Sequence, residues 1–373
     1  MTPVHVTSSH LDPISLGQRL LEWYGEKRRV LPWRLAQDPY TVWVAEIMLQ
    51  QTRSEAVIPY YHRFLARFPT LASLADAPLA DVLKAWEGLG YYARARNLHS
   101  AARRVVQELH GQIPSSPEAL LLLPGIGEYT AAAIASIAFG QDAIALDGNL
   151  RRVLCRIFAI DDDPGRSNTQ ARLVTLAYRM LPPGHAGELN QALMDLGAGI
   201  CLPAHPRCLV CPLIGLCQAQ AEGIQEQLPI RATRKQRPHR DVTAGVIWNG
   251  EDKFLITQRP LDAMLGGLWE FPGGKRRPGE ELESCLHREI CEELEIEIEV
   301  GRLLCTVDHG FTHFHMTLYA FECHWLAGVP QCIGCTDWHW VGLSDLDGYP
   351  FPVADQRVIA FLRDGQPTGL TGA

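Results

Sequence analysis

The sequence predicts a protein of two dissimilar parts, an all-α first part and an α+β second part, in a chain of 373 residues. Apolar residues recur at i, i+3 and i+4 from Leu16 to Tyr24 and from Val57 to Leu65, and this spacing places them on one helix face. After residue 240 the pattern changes to runs of β-branched and aromatic residues, which predict strands. We therefore expect at least two domains with different folds.

The individual elements follow from the same patterns. Proline and glycine interrupt the helical first part at residues 68–69, 113–114, 124–125 and 182–184, and these breaks predict the connections between helices. The strand-like runs are residues 243–248, 254–258, 296–307 and 314–324. One helical stretch, Leu282–Leu294, lies among these runs. A sheet with at least one covering helix is therefore predicted for the second part.

The net charge of −8 is distributed unevenly along the chain. Residues 1–225 are neutral, with 20 basic and 20 acidic side chains, whereas residues 226–240 carry five basic side chains against one acidic. Residues 241–373 carry 9 basic and 21 acidic side chains. We predict a helical domain over 1–225, a basic linker over 226–240 and a second domain over 241–366. The negative total does not exclude a nucleic-acid partner, because a basic face on one part is sufficient for binding.

Composition also bears on the cellular setting. The longest apolar stretches fall short of the roughly 18 residues of a membrane span, so we expect no membrane partner. The first residues show no basic stretch followed by an apolar core, so we expect no secretory signal. Eleven cysteines without a sign of secretion favour a reducing compartment, where thiols act as metal ligands or core residues. We expect the protein to be cytoplasmic.

Four cysteines form the most specific motif, in the spacing Cys201-x6-Cys208-x2-Cys211-x5-Cys217. Both zinc and iron–sulfur clusters accept four thiolates. The intervening residues include three prolines and a glycine, which favour a loop over a packed core. Zinc sites more often pair two Cys-x2-Cys units, and this segment has only one. We therefore favour a [4Fe–4S] cluster over zinc.

A second motif joins two predicted helices. Gly125 and Gly127, in the stretch Leu-Pro-Gly-Ile-Gly-Glu-Tyr-Thr, allow a tight turn whose backbone N–H groups can bind a phosphate at a helix N-terminus. Asp147 follows, directly before another predicted helix. By itself such a turn is equally typical of an ordinary helix connection, and such an aspartate is more often a helix cap than a catalyst.

Together these motifs resemble the DNA glycosylase superfamily that includes endonuclease III, and four further segments resemble the adenine DNA glycosylases of the MutY type. These segments are 31–34 (Leu-Pro-Trp-Arg), 43–52 (Trp-Val-Ala-Glu-Ile-Met-Leu-Gln-Gln-Thr), 88–92 (Gly-Leu-Gly-Tyr-Tyr) and 190–197 (Asn-Gln-Ala-Leu-Met-Asp-Leu-Gly). Ala45 departs from the serine that the family commonly has. The resemblance implies a helix–hairpin–helix glycosylase domain with a [4Fe–4S] loop.

The resemblance also implies roles for individual residues. Glu46 would protonate the adenine, and its apolar neighbours would raise its pKa. Asp147, beside Asn149 and at a helix start, would be held ionised and would stabilise the developing sugar cation, as in glycoside hydrolysis. Gln51 and Tyr91 would wedge into the opened duplex, since glycosylases must extrude the target base. Further DNA or lesion contacts are implied for Arg34, Thr52, Leu89, Gly125, Gly127 and Gln191.

Tyr129 distinguishes two kinds of glycosylase. In lyases of the superfamily this position carries a lysine that forms a Schiff base with the sugar. The tyrosine here therefore implies hydrolysis of the base without cleavage of the strand.

The second part contains the spacing Gly274-x5-Glu280-x7-Arg288, followed by Glu-Ile-Cys-Glu-Glu-Leu-Glu-Ile. This resembles the box of Nudix domains and departs from it at Glu295, where glycine is expected. Glu289, Glu292 and Glu293 would share one helix face, as a magnesium site requires, although we favour a solvated acidic helix. In MutY-type proteins this domain reads the lesion through a Phe-Ser-His loop, and Phe311, Thr312 and His313 match it with threonine for serine.

Three functional classes follow. The leading one is a monofunctional glycosylase that removes adenine opposite 8-oxoguanine or guanine in double-stranded DNA, acting as a monomer. The second is a bifunctional glycosylase and lyase like endonuclease III, against which Tyr129 and the second part argue. The third is a nucleotide pyrophosphatase with a DNA-binding appendage, which hydrolysis of 8-oxo-dGTP would reveal.

Overall fold

The computed structural model describes residues 12–35, 38–230, 237–311 and 313–364. By internal contacts the chain forms two compact units. The first unit comprises the described residues within Met1–Leu65, Thr70–Ala72 and Ser100–Arg234; the second comprises those within Ala66–Pro69, Ser73–His99 and Lys235–Ala373. The domain limits 1–225, 226–240 and 241–366 stay predictions, and residues 231–236 of the linker and 365–366 lie outside the described residues.

Helices dominate the chain before residue 230, as predicted. The α-helices in chain order are α1 (Pro13–Lys27), α2 (Pro39–Leu49), α3 (Ser54–Arg67), α4 (Leu71–Asp76), α5 (Leu79–Trp86), α6 (Ala93–Glu108), α7 (Pro117–Leu120), α8 (Glu128–Phe139), α9 (Gly148–Ile157), α10 (Ser167–Met180), α11 (Ala186–Gly199), α12 (Gln218–Ala221), α13 (Leu282–Leu294) and α14 (Val353–Asp364). The periodic segments 16–24 and 57–65 fall in α1 and α3, and the predicted breaks lie between helices.

The first unit is a helical bundle. Helix α2 packs against α8, helix α9 packs against α11, and α1 packs against α10 and α11. Leu16, Leu154 and Leu193 are fully buried members of its main apolar cluster. Helix α2 begins at Asp38, whose carboxylate accepts the Thr41 backbone N–H at 2.9 Å in an N-cap. This cap defines the start of the helix that carries Glu46.

The second unit contains a mixed sheet. Its strands are β1 (His239–Trp248), β2 (Phe254–Gln258), β3 (Trp269–Glu270), β4 (Glu297–Gly310), β5 (His315–Ala327) and β6 (Asp337–Val341). Their order is β3-β2-β1-β5-β4, with β6 also paired to β2. Strands β1 and β5 are parallel, and the other pairs are antiparallel. The four predicted strands are confirmed as β1, β2, β4 and β5.

Two apolar clusters lie on opposite faces of this sheet, because successive residues of a strand point to alternate faces. Val246 and Phe254 pack with α14 on one face, and Ile247 and Leu255 pack with α13 on the other. Helix α13 has the bounds that the sequence predicted. It ends at Glu295, whose φ of 52° is left-handed, a conformation that glycine adopts more readily. The backbone at this position therefore accounts for the glycine expected there.

No helix among the described residues is both long and apolar enough to cross a membrane.

Candidate active site

Glu46 is a buried carboxyl group on helix α2. The residue is 4% exposed, and Trp43, Ile47 and Met48 of the same helix are buried with it. The hydroxyl of Tyr129, at the start of α8, donates a hydrogen bond to Glu46 Oε2 at 2.8 Å. The packing of α2 against α8 thus brings together two residues that lie 83 positions apart in sequence.

The environment of Glu46 favours the neutral acid. The pKa of Glu46 is raised to about 7, chiefly by burial and also by the charge of Asp147, while the Tyr129 hydrogen bond and the Arg34 charge oppose the increase. Burial and the charge of Glu46 also raise the pKa of Tyr129 well above its usual value, so Tyr129 remains a hydrogen-bond donor. The predicted increase in the pKa of Glu46 is confirmed.

Asp147 is the N-cap of helix α9. Its Oδ1 accepts the Leu150 backbone N–H at 2.6 Å, and its Oδ2 accepts the Asn149 side-chain N–H at 3.1 Å. Contrary to the expectation that its surroundings favour the ionised form, the pKa of Asp147 is raised above its usual value, because burial outweighs the hydrogen bonds from Leu150 and Asn149 and the charge of Arg152. The sequence left open whether Asp147 is a helix cap or a catalyst. The two roles are compatible, because the capping donors stabilise the carboxylate form.

The loop before Asp147 depends on Asn190, which the sequence analysis did not single out. Asn190 is completely buried. Its amide donates to the Ala143 carbonyl at 2.8 Å and to Ser136 Oγ at 3.0 Å, and its oxygen accepts the Ala145 backbone N–H at 3.1 Å. Asn190 therefore connects α11, α8 and the segment that leads into Asp147. Its place in the family-like segment 190–197 was the only available signal.

Arg34, predicted to contact DNA, lies in a buried ion-pair cluster. Its guanidinium donates to both oxygens of Asp195, at 2.8 and 3.0 Å, and Arg29 Nε donates to Asp195 at 2.7 Å. Burial raises the pKa of Asp195, but the hydrogen bonds and charges of both arginines outweigh that effect and hold the pKa below its usual value. The structure thus provides Arg34 with a structural partner, and its DNA contact stays a prediction.

The glycine turn between helices α7 and α8 is exposed at both glycines. Gly125 has a φ of 76°, a left-handed value that glycine adopts without strain. A Cβ added to Gly127 would meet no atom within 4 Å, so the space beside it is open. The buried residue between them, Ile126, anchors the turn. The geometry fits the approach of a phosphate to the N-terminus of α8.

Gln51 and Tyr91 share an unusual backbone conformation. Their φ values are 59° and 49°, in the left-handed region that is uncommon for residues other than glycine. Both are exposed, Tyr91 to 46%. Residues held in such conformations are enriched at functional sites. Thr52 follows Gln51 and is half-buried.

The loop that carries Tyr91 is held from within the second unit. Arg94 donates to the carbonyls of Leu89 and Gly90, at 3.2 and 3.1 Å, and Trp86 Nε1 donates to Gly90 at 3.1 Å. Leu89 is buried, so it stabilises the loop while Tyr91 remains exposed. Gln191 is half-buried on α11 of the first unit, where its amide donates to the Gly187 carbonyl.

The four predicted ligand cysteines line one cavity. Cys201, Cys208, Cys211 and Cys217 all face it, together with Arg156. The pKa of Cys211 is raised to about 11 by burial together with the other three thiols, as expected of close neighbours. Among the described residues no group of three or more His, Cys, Asp or Glu has the arrangement of a formed metal site.

The chemistry around these cysteines nevertheless fits an anionic cluster. Arg156 is 1% exposed, and its guanidinium lies 3.3 Å from Cys201 Sγ and donates to the Leu202 carbonyl at 2.6 Å. A buried cation needs a compensating negative charge, and thiolate ligands supply one. The donor set therefore fits a four-thiolate group.

Two of the predicted lesion-reading residues, Phe311 and His313, lie in the turn between β4 and β5. The Phe311 backbone N–H donates to the Phe314 carbonyl at 2.8 Å, and the two rings stack with centroids 4.6 Å apart. His313 is exposed, whereas Thr312 lies outside the described residues. The closing bond places His313 in the turn of the hairpin.

The acidic residues of the Nudix-like box are paired with Arg288. Its guanidinium donates to Glu280 at 2.7 Å, to Glu289 at 2.7 Å and to Glu292 at 3.1 Å. Glu293 lies on the same face of α13, and burial, with the charges of Glu270 and Glu289, raises its pKa to about 7. As predicted, Glu289, Glu292 and Glu293 share one face of α13, and Arg288 pairs with the first two.

Both parts of the chain match known protein families. Residues 44–177 match the HhH-GPD superfamily base excision DNA repair protein family, and residues 243–361 match the NUDIX domain family. A structure of a thermostable thymine-DNA glycosylase is similar, with a TM-score of 0.53 and 31% identity, over 57% of this chain and 97% of that one. The helix–hairpin–helix and Nudix-like folds predicted from sequence are thereby confirmed.

Two relatives extend the similarity across both parts. The adenine DNA glycosylase of Homo sapiens is 37% identical over 95% of this chain and 75% of its own length. The adenine DNA glycosylase of Buchnera aphidicola subsp. Acyrthosiphon pisum (strain APS) is 35% identical over 80% of this chain and 83% of its own. At this identity and coverage, the chain belongs to the adenine DNA glycosylase family.

Proposed function

We propose that this protein removes adenine mispaired with 8-oxoguanine or guanine in double-stranded DNA and so initiates base excision repair. The observation that carries the proposal is the buried acid Glu46, which is hydrogen-bonded by Tyr129 and interacts electrostatically with Asp147. Removal of a purine needs a proton on the leaving base and negative charge near the sugar cation. These are two carboxyl groups in opposite protonation states, as in glycoside hydrolysis.

The roles follow from the two environments. Glu46, with a pKa raised to about 7, donates its proton to N7 of adenine, and the C1′–N9 bond breaks as its electron pair leaves with the base. Asp147, whose capping hydrogen bonds favour the carboxylate, stabilises the cation left on the sugar. Water then adds to C1′ and loses one proton, which restores the acid form of Glu46. Tyr129 offers no amine for a Schiff base, so the strand stays intact.

The four cysteines would hold a [4Fe–4S] cluster, which would join the ends of the 201–217 loop. Arg156 supports this assignment as a buried cation beside the thiols. Purified protein is expected to be brown and to contain iron. A colourless, active protein with stoichiometric zinc would contradict the iron assignment. Cluster-ligating thiolates and DNA repair together favour a reducing, cytoplasmic setting.

Recognition of the mispair is assigned to residues on both parts of the chain. Gln51 and Tyr91 would occupy the space that the extruded base leaves, since both are exposed on strained backbone. The hairpin of Phe311, Thr312 and His313 would contact 8-oxoguanine. Thr312 would supply a hydroxyl that can sense O8 or N7–H through one hydrogen bond. A single active site suffices for this reaction, so we expect a monomer.

The decisive experiment is a single-turnover assay on duplexes with one adenine opposite each of the four bases and opposite 8-oxoguanine. We expect alkali-dependent cleavage at adenine, fastest opposite 8-oxoguanine, and no covalent adduct after borohydride treatment. A T:G duplex should remain uncut. Strand cleavage without alkali, together with borohydride trapping, would instead indicate the bifunctional class, and hydrolysis of 8-oxo-dGTP would indicate the pyrophosphatase.

A further inference from the structure

A basic cleft lies on the otherwise acidic second part of the chain. The cleft has a volume of about 390 Å³ and is lined by His239, Arg240, Asp241 and the loop residues 275–279. Four of these residues are lysine or arginine, namely Arg240, Lys275, Arg276 and Arg277. Residues 241–373 as a whole carry 9 basic and 21 acidic side chains. So dense a basic group on this background marks a surface for an anion.

The cleft retains positive charge after its internal ion pairs are formed. Asp241 pairs with Arg276 at 3.2 Å, and this bond fixes the arginine in the wall of the cleft. Arg277 pairs with Glu292 at 3.3 Å but is 61% exposed, so the pair is weak. Within the described ranges Lys275 and Arg240 have no ion-pair partner. The cleft can therefore bind phosphate without first breaking a strong internal bond.

The register of the sheet places the cleft beside the lesion-reading hairpin. His239 and Arg240 of β1 lie opposite His315 and Met316 of β5, which are the first residues after the hairpin turn. Lys275 bridges to Val242 of the same strand. Arg240 also lies over the Phe314 ring, 4.6 Å from its centroid. Because Phe314 accepts the hydrogen bond that closes the hairpin turn, this contact places the cleft next to the described part of the hairpin.

We infer that this cleft binds the DNA backbone phosphates that flank the lesion. The inference rests on the proposed function, because it takes the hairpin to be the lesion reader. Phosphates line both strands of the duplex, so a hairpin that reads the lesion brings the neighbouring cleft close to them. The charge of the cleft matches the duplex, and its contacts position the hairpin on the lesion without reading sequence.

The test measures how binding of full-length protein to an A:8-oxoguanine duplex depends on salt, in a Glu46→Gln background that prevents turnover. Lys275→Gln and the double variant Lys275→Gln/Arg277→Gln are compared with Lys253→Gln. Lys253 lies in the turn between β1 and β2, is 46% exposed and belongs to the same acidic part. Lys275→Arg retains the charge and serves as the conservative variant.

Each lost phosphate contact is expected to reduce the slope of log Kobs against log salt by about 1. The slope should fall for Lys275→Gln, fall further for the double variant, and stay at the parent value for Lys253→Gln and Lys275→Arg. Affinities for 8-oxoguanine and guanine duplexes should weaken by the same factor, because phosphate contacts carry no base information. Equal slopes for Lys275→Gln and Lys253→Gln would overturn the inference.

Two further outcomes separate the alternatives. If 8-oxo-dGTP binds the parent without weakening its affinity for the duplex, and fails to bind the double variant, the cleft binds free nucleotides and the DNA assignment is wrong. If the protein with Glu46 intact removes no adenine, the proposed function itself fails. An unchanged salt slope in a protein that does remove adenine contradicts only the cleft.

Discussion

The surroundings of Glu46 in the first unit differ from those of the glutamates that pair with Arg288 in the second unit. Glu46 in the first unit is buried beside a neutral tyrosine, and its pKa rises to about 7. Glu280, Glu289 and Glu292 in the second unit share the Arg288 guanidinium, and the pKa of Glu280 falls to about 2 through hydrogen bonds from Arg288 and the Arg277 backbone.

This difference teaches that the neighbours of a carboxyl group decide its chemistry. Desolvation without a paired cation stabilises the neutral acid, which can donate a proton near pH 7. A guanidinium stabilises the carboxylate and leaves no proton to give. Glu280, whose pKa is lowered, therefore does not serve as a general acid, whereas burial raises the pKa of Glu293 in the same unit as it does that of Glu46.

The largest expected effect comes from removing the proton donor. Glu46→Gln keeps the shape of the side chain and cannot protonate adenine, so base removal should fall by about 10²–10⁴-fold while binding to the mispair persists. Single-turnover rates and a binding titration on the same duplex measure both. Glu22→Gln, on the exposed face of α1, is the control and should match wild type. Full activity of Glu46→Gln would refute the assignment.

The second prediction concerns pH. Because the pKa of Glu46 is about 7, the neutral acid predominates below that pH, and base removal should decline as pH rises through it. The Tyr129 hydrogen bond lowers this pKa, so Tyr129→Phe should move the descending limb of the single-turnover pH–rate profile to higher pH. A limb that stays in place, or moves to lower pH, contradicts the role given to this hydrogen bond.

A smaller effect is expected at the reading hairpin. Thr312→Ala removes one hydroxyl, and a neutral hydrogen bond contributes on the order of 1 kcal/mol, which corresponds to about a fivefold change. The ratio of base-removal rates opposite 8-oxoguanine and guanine should fall by about that factor. Thr312→Ser retains the hydroxyl and should preserve the ratio. An unchanged ratio in Thr312→Ala would assign lesion reading to other residues.

The smallest expected effect is on stability at Glu293. Burial and the charges of Glu270 and Glu289 raise its folded pKa to about 7 from a usual 4.5. The wild-type protein therefore loses stability as pH rises from about 4.5 to about 7, since the ionised form is disfavoured in the folded state. Glu293→Gln lacks that loss.

The melting temperature of Glu293→Gln minus that of wild type should accordingly be larger at pH 8 than at pH 6. Adenine removal should be unaffected if Glu293 plays no part in chemistry. Glu251→Gln, at a site 75% exposed, is the matched control and should show no pH-dependent difference. An increase that is larger at pH 6 would reverse the sign of the proposed burial effect.

Much of the fold was predictable from local pattern. Helix α13 and strand β2 have the bounds expected from their periodicity, because each buries an apolar face that repeats at its own period. Strand β6 and helix α14 were not predicted. Trp338 and Trp340 of β6 are only partly buried, and the pairing of β6 with β2 joins segments nearly 80 residues apart, which no local pattern encodes.

By itself, the sequence determined the residue types and spacings that carry chemistry: the four cysteines, the glycine turn, Glu46 and Tyr129. It could not assign neighbours to buried polar groups, because such neighbours come from remote segments. Only the tertiary structure paired Arg34 with Asp195 and tied the approach to Asp147 to Asn190. It likewise surrounded Glu46 with apolar side chains beside a tyrosine hydroxyl. A carboxyl group becomes an acid at neutral pH through desolvation, and desolvation is a property of packing.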